Sequence, residues 1–126
     1  DWAIHMMGHE LTAMFGIDHA QTLAIIAPSH YRFNIDSKKE KLAQYAERVW
    51  GVSEGSVLEK ANIGIDKTEA FFHSLGIKTR LSEYSSDYAG TAEKISARFS
   101  ERGWMGLGEL QKVTPDNVSE IVKMSY

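Results

Sequence analysis

The sequence predicts an all-α domain, an antiparallel bundle of about six helices over residues 1–126. Three observations predict it. Apolar residues recur at helical spacing almost throughout. No useful stretch alternates apolar and polar residues as a half-buried strand would. The only two prolines, Pro28 and Pro115, fall where a helix can be punctuated.

The first helix runs from Asp1 to Phe15. Trp2, Ile4, Met6, Met7, Leu11, Met14 and Phe15 spread around most of its circumference, so burial on all sides is expected. Gly16 can take the left-handed position that ends it. Asp18 can cap a second helix, Ala20 to Ala27, which is expected to stop at Pro28, with a loop over residues 30–35. Asp36 or Ser37 opens a third helix with Leu42, Tyr45, Ala46, Val49 and Trp50 as its apolar stripe. Lys38, Lys39, Glu40 and Lys41 belong to its solvated face, and Gly51 stops it. Ser56 and Glu59 have capping-box spacing for a fourth helix with Leu58, Ala61, Ile65, Phe72 and Leu75 inward, ending at Gly76. Residues 77–86 read as a loop. A fifth helix follows from about Ala89 to Arg102, with Ala92, Ile95 and Phe99 inward. After a loop marked by Gly103, Gly106 and Gly108, Thr114 caps the last helix. Pro115 sits in its first turn, and Val118, Ile121 and Val122 face inward.

Composition narrows the function. One domain of 126 residues can bury a real core. Apolar residues are 43% and charged residues 25%, which fits a soluble chain. Lys plus Arg is 14 against 17 for Asp plus Glu, a net charge of −3, so no basic stripe favours nucleic acid. No apolar run is long enough to span a membrane and no signal peptide is visible, so a cytoplasmic location is expected. There are no cysteines, which removes disulfides, thiol nucleophiles and thiolate metal sites. The start at Asp1 rather than Met suggests a piece of something longer.

Three of the five histidines, His5, His9 and His19, lie in the first nineteen residues. His5 and His9, four apart, share one helix face, roughly 40° apart. His19 follows the Gly16–Ile17–Asp18 reversal and can swing back toward them. Three imidazoles so placed can converge on a divalent metal; packing or solvated histidines are the plainer alternative. Zinc-protease chemistry is excluded, because His9-Glu10 is followed by Leu11, Thr12 and Ala13, with no second histidine in register. Met6, Met7 and Met14 read as core filling. The three loop glycines do not follow a strand, so they are not a dinucleotide fingerprint. His30 and His73 lack clustered partners and read as surface or loop residues.

The stretch from Asp1-Trp2-Ala3-Ile4-His5-Met6-Met7-Gly8-His9-Glu10 to Gly16-Ile17-Asp18-His19-Ala20-Gln21 resembles the metal-binding segment of the iron-containing (group III) alcohol dehydrogenases. Within that family it is most similar to the butanol dehydrogenase and NADPH-dependent aldehyde reductase branch. The likeness continues through Gln44-Tyr45-Ala46-Glu47-Arg48-Val49-Trp50, Leu75-Gly76, Leu81-Ser82-Glu83-Tyr84 and Leu107-Gly108-Glu109.

The resemblance implies the helical C-terminal part of a dehydroquinate synthase-like dehydrogenase. Its metal, Fe²⁺ or Zn²⁺, is held by an Asp and a His from an earlier helix and by two histidines that match His5 and His19. His9 matches a residue near the nicotinamide and the substrate oxygen, a proton-relay and cofactor-contacting group rather than a ligand. The activity implied is hydride transfer between primary alcohols and aldehydes with NAD(P)H, the metal acting as a Lewis acid.

The family's N-terminal nucleotide-binding domain and D-x-x-x-H segment are not in this sequence, so residues 1–126 alone are expected to be inactive. With covering helices missing, self-association is expected as well. Two readings compete with this one. A stand-alone helical metal-binding or interaction module would complete a metal shell from this chain, with Glu10 or Asp18. A purely structural domain would not respond to metal.

Overall fold

The computed structural model describes residues 1–126 as six α-helices. They are α1 (Trp2–Phe15), α2 (His19–Phe33), α3 (Ile35–Trp50), α4 (Val57–Ser74), α5 (Thr91–Glu101) and α6 (Pro115–Met124), with a 3-10 turn at Leu81–Glu83. An isolated antiparallel bridge joins Leu107 to Val113, and there is no strand. The predicted all-α class therefore holds.

Most helix ends follow from local chemistry. Gly16 adopts φ 67°, and its N–H reaches the Thr12 carbonyl at 2.9 Å, closing α1. At α4 the Ser56 hydroxyl accepts from the Glu59 N–H at 3.3 Å, while the Glu59 carboxylate accepts from the Ser56 N–H at 2.8 Å. That reciprocal cap satisfies two N–H groups that a helix start otherwise leaves open. Thr114 and Asn117 do the same at α6.

The second helix departs from expectation. It passes through Pro28 and continues to Phe33, so the predicted loop at 30–35 is helical except for Asn34. Pro28 has no N–H for the Ala24 carbonyl, a real local cost. Burial outweighs it, because Ala24, Ile25, Ile26, Ser29 and His30 are all buried around it. Asn34 alone turns the chain into α3. Its backbone N–H and side-chain amide both donate to the His30 carbonyl, at 3.1 and 2.9 Å.

Two cores result. The larger joins α1, α2, α5 and α6 through Met7, Leu11, Ile25, Ile26, Ile95, Phe99, Val118, Ile121 and Val122, and Leu81 and Val113 plug into it. The smaller lies in the α3–α4 hairpin around Leu42, Ala61 and Ile65. The hairpin's predicted stripes are only half right, since Val49, Leu58 and Leu75 are exposed. Lys38 is also not part of a solvated face. Its side chain is only 11% exposed and its ammonium binds Asp1 at 3.0 Å and the Glu109 carboxylate.

His30, read as surface or loop, is fully buried in α2. Its Nε2 lies 3.3 Å from Asp1 Oδ2 without a formed hydrogen bond. Burial, helped by the Lys38 ammonium, depresses its pKa to about 4, so the contact joins a neutral imidazole to a carboxylate. The unfolded chain therefore binds this proton more readily than the folded one. The stabilising contribution is complete above pH 6.5 and is lost as pH falls from there toward 4, by roughly 3 kcal/mol. Urea denaturation at pH 7 and pH 4 should show that loss, and His30→Gln should flatten it. Equal slopes in wild type and variant would contradict the assignment. The second isolated histidine, His73, is exposed as expected but not free: its Nε2 lies 2.8 Å from the Thr79 hydroxyl.

Candidate metal and redox site

One face of α1 is open. Trp2, His9, Thr12 and Ala13 are exposed there and His5 is half-buried, while Ile4, Met7 and Leu11 face the core. The apolar circumference of α1 is thus not covered all round within this chain: its histidine side meets solvent, as expected where covering helices are missing.

The three predicted histidines do come together. Ring centroids are 5.2 Å apart for His5–His19, 5.2 Å for His9–His19 and 6.3 Å for His5–His9. The His5–His9 approach follows from helical register. His19 is brought in by the short Gly16–Asp18 link, locked where Thr12 Oγ1 donates to the Ile17 carbonyl at 2.9 Å.

Gly8, between the two α1 histidines, is the residue that lets α2 come close. A Cβ there would lie 2.8 Å from Thr22 Oγ1, which is already committed to the His19 carbonyl. Gly8 and the buried Thr22 carried no signal at the sequence level, because the contact is between helices.

The site's chemistry can be read atom by atom. The Nδ1 of His5 is buried without a partner. Burial, then the nearby His19 and His9, hold the His5 pKa below its usual value, which favours the neutral form that can donate a lone pair to a metal. The Trp2 ring packs edge-on against His5 at 5.0 Å.

Glu10, a candidate to complete a metal shell in the stand-alone reading, points away from His9 into the fold. It is buried, with its carboxylate held by Arg98 of α5 at 2.6 Å and by Arg102. Burial raises its pKa, but the two guanidinium bonds outweigh this and bring it below the ordinary carboxylate range.

Imidazole donors suit iron and zinc alike. The three histidines meet, but no three His, Asp or Glu groups of this chain are set to hold a metal ion among themselves. Glu10 is committed elsewhere, which counts against a shell completed within the chain.

The chain is similar to known proteins over its whole length. A family profile described as Fe-containing alcohol dehydrogenase family, C-terminal, matches residues 1–126. The chain is 47% identical to the NADPH-dependent aldehyde reductase YqhD of Escherichia coli over 116 residues, 92% of this chain and 30% of that protein. It is 32% identical to NADH-dependent butanol dehydrogenase A of Clostridium acetobutylicum, over 99% of this chain and 32% of that one. The substrate- and cofactor-free structure of YqhD matches with a TM-score of 0.93 at 44% identity, covering 100% of this chain and 33% of the other. The chain spans about a third of the length of these relatives. It belongs to the Fe-containing alcohol dehydrogenase family and corresponds to its C-terminal part.

Proposed function

We propose that residues 1–126 form the helical metal-binding part of an NAD(P)H-linked alcohol dehydrogenase or aldehyde reductase. The observation that carries this reading is the meeting of His5, His9 and His19 at 5–6 Å on the open face of α1. The family membership supports it. His5 and His19 would hold the Fe²⁺ or Zn²⁺. Bound there, the metal would supply Lewis-acid polarisation of the substrate oxygen.

The chain's own residues do the rest of what can be derived. Burial and the nearby His19 and His9 hold the His5 pKa below its usual value, which favours the neutral imidazole that a metal ligand must be. His9 is exposed beside both, which supports the reading that it contacts nicotinamide and passes a proton to or from the substrate oxygen. Trp2 walls the face next to His5.

The nicotinamide site and the remaining ligands would lie in the other two-thirds of such a protein. By itself the chain should therefore neither oxidise NADPH with butyraldehyde nor bind metal tightly. Calorimetry with Zn²⁺ should show weak binding that is lost in His5→Ala. Turnover above a no-protein control, or tight one-to-one binding that survives the substitution, would contradict the reading.

No helix is long and apolar enough to cross a membrane. A cytoplasmic location, without membrane or nucleic-acid partners, is part of the proposal. So is self-association of the separate chain. Trp2 is 69% exposed, and Leu58 and Phe71 of α4, with Leu75 just past its end, add apolar surface. Light scattering at high concentration should give a mass above the monomer; a sharp monomer would contradict this.

A further inference from the structure

We propose that Glu10 is a positioning residue for the histidine cluster, setting the rotation of α1 through Arg98 and Arg102. The inference rests on the metal-site reading above in its metal arm only. Glu10 follows His9 directly, and on a helix it points roughly 100° from His9 and 140° from His5. Fixing Glu10 inward therefore fixes both imidazoles outward.

The fixing is specific. Each carboxylate oxygen takes a different guanidinium, Oε2 from Arg98 of α5 and Oε1 from Arg102 just past its end, some ninety residues further along. Arg102 is held in turn by the Trp104 ring, 4.9 Å from its guanidinium carbon. Trp104 packs edge-on against the buried Phe99.

The buried residues of α1, Ala3, Ile4, Met7, Gly8 and Leu11, form one stripe that sets its inward side coarsely. The Glu10 pair refines that setting: with the carboxylate between the two arginines the buried charge is paired, and a turn of α1 away from them strands it.

The experiment uses this chain with ring-labelled histidines. In wild type, nuclear Overhauser cross-peaks should connect the ring protons of His5 and His19. In Glu10→Gln they should disappear while the amide spectrum stays dispersed. Arg98→Lys with Arg102→Lys, which keeps the charges but not the forks, should give cross-peaks of intermediate strength.

A folded Glu10→Gln with cross-peaks of wild-type intensity would overturn the proposal. Should Glu10→Gln unfold, Arg98→Gln decides, since it keeps the Arg102 bond: a weakened cross-peak supports the proposal and an unchanged one overturns it. A parallel Zn²⁺ titration separates the two claims. Glu10→Gln should weaken Zn²⁺ binding roughly 10- to 100-fold, the range for groups that orient ligands. Binding lost in His19→Ala but unchanged in Glu10→Gln would refute positioning alone. Binding unchanged in His19→Ala would refute the metal reading and leave the cross-peak result to judge positioning.

Discussion

Replacing His19 by alanine in a full-length protein carrying this chain should lower NADPH-linked aldehyde turnover by about 10²–10³-fold, the scale for removing a group that stabilises charge in the transition state. The loss should come without loss of fold. His19 is exposed at the start of α2, so its ring contributes little to either core. It is nonetheless the one imidazole brought to the cluster from outside α1, 5.2 Å from both His5 and His9. Metal content should fall together with turnover, while the thermal midpoint of the metal-free protein stays within a few degrees. Turnover within about threefold of wild type would show that His19 is not a ligand. His9→Ala should behave differently, losing turnover while keeping metal, because His9 is assigned to proton transfer and nicotinamide contact.

The largest effect on stability is expected from Phe99→Ala. Phe99 has no exposed surface and sits in the larger core among Met7, Leu11, Ile95 and Val118. Truncating a buried phenylalanine removes its transfer energy and leaves a cavity, together about 3–5 kcal/mol. Total stability for a domain of this size is on the order of 5–15 kcal/mol, so the variant should be only marginally folded. Phe99 also backs Trp104 at 5.2 Å, and Trp104 carries Arg102, so the cavity should loosen the clamp on Glu10 as well. Urea denaturation should show a lower midpoint with an unchanged slope. A loss below about 1 kcal/mol would mean that the core collapses onto the cavity.

What the sequence made legible was whatever is local along the chain. The Ser56–Glu59 and Thr114–Pro115 starts, the Gly16 and Gly51 stops and the His5–His9 register all depend on residues within one or two turns, and the structure shows each. His19 was legible because only three residues separate its helix from α1.

The misses depend on neighbours distant in sequence. Pro28 signals an ending, and α2 continues because Ile25, Ile26 and His30 are buried against other helices. His30 has no partner nearby in sequence, yet it reaches Asp1 across the fold. Lys38 belongs to a charged run on α3, and its partners lie 37 residues before it and 71 after it. Val49, Leu58 and Leu75 fit an inward stripe by spacing but lie beyond the width the α3–α4 contact can cover. Glu10 could be placed on the far side of α1 from its register, but Arg98 and Arg102 could not be assigned to it from spacing alone.

The central claim is that His5 and His19 supply one half of a metal shell whose other half comes from outside residues 1–126. Anomalous scattering at the metal edge, from crystals of the full-length protein, tests it most directly. The account predicts one peak at bonding distance, about 2.0–2.1 Å, from both imidazoles, with the remaining donors contributed by residues outside this chain. A peak that misses either histidine, or a shell completed entirely by residues 1–126, would contradict it.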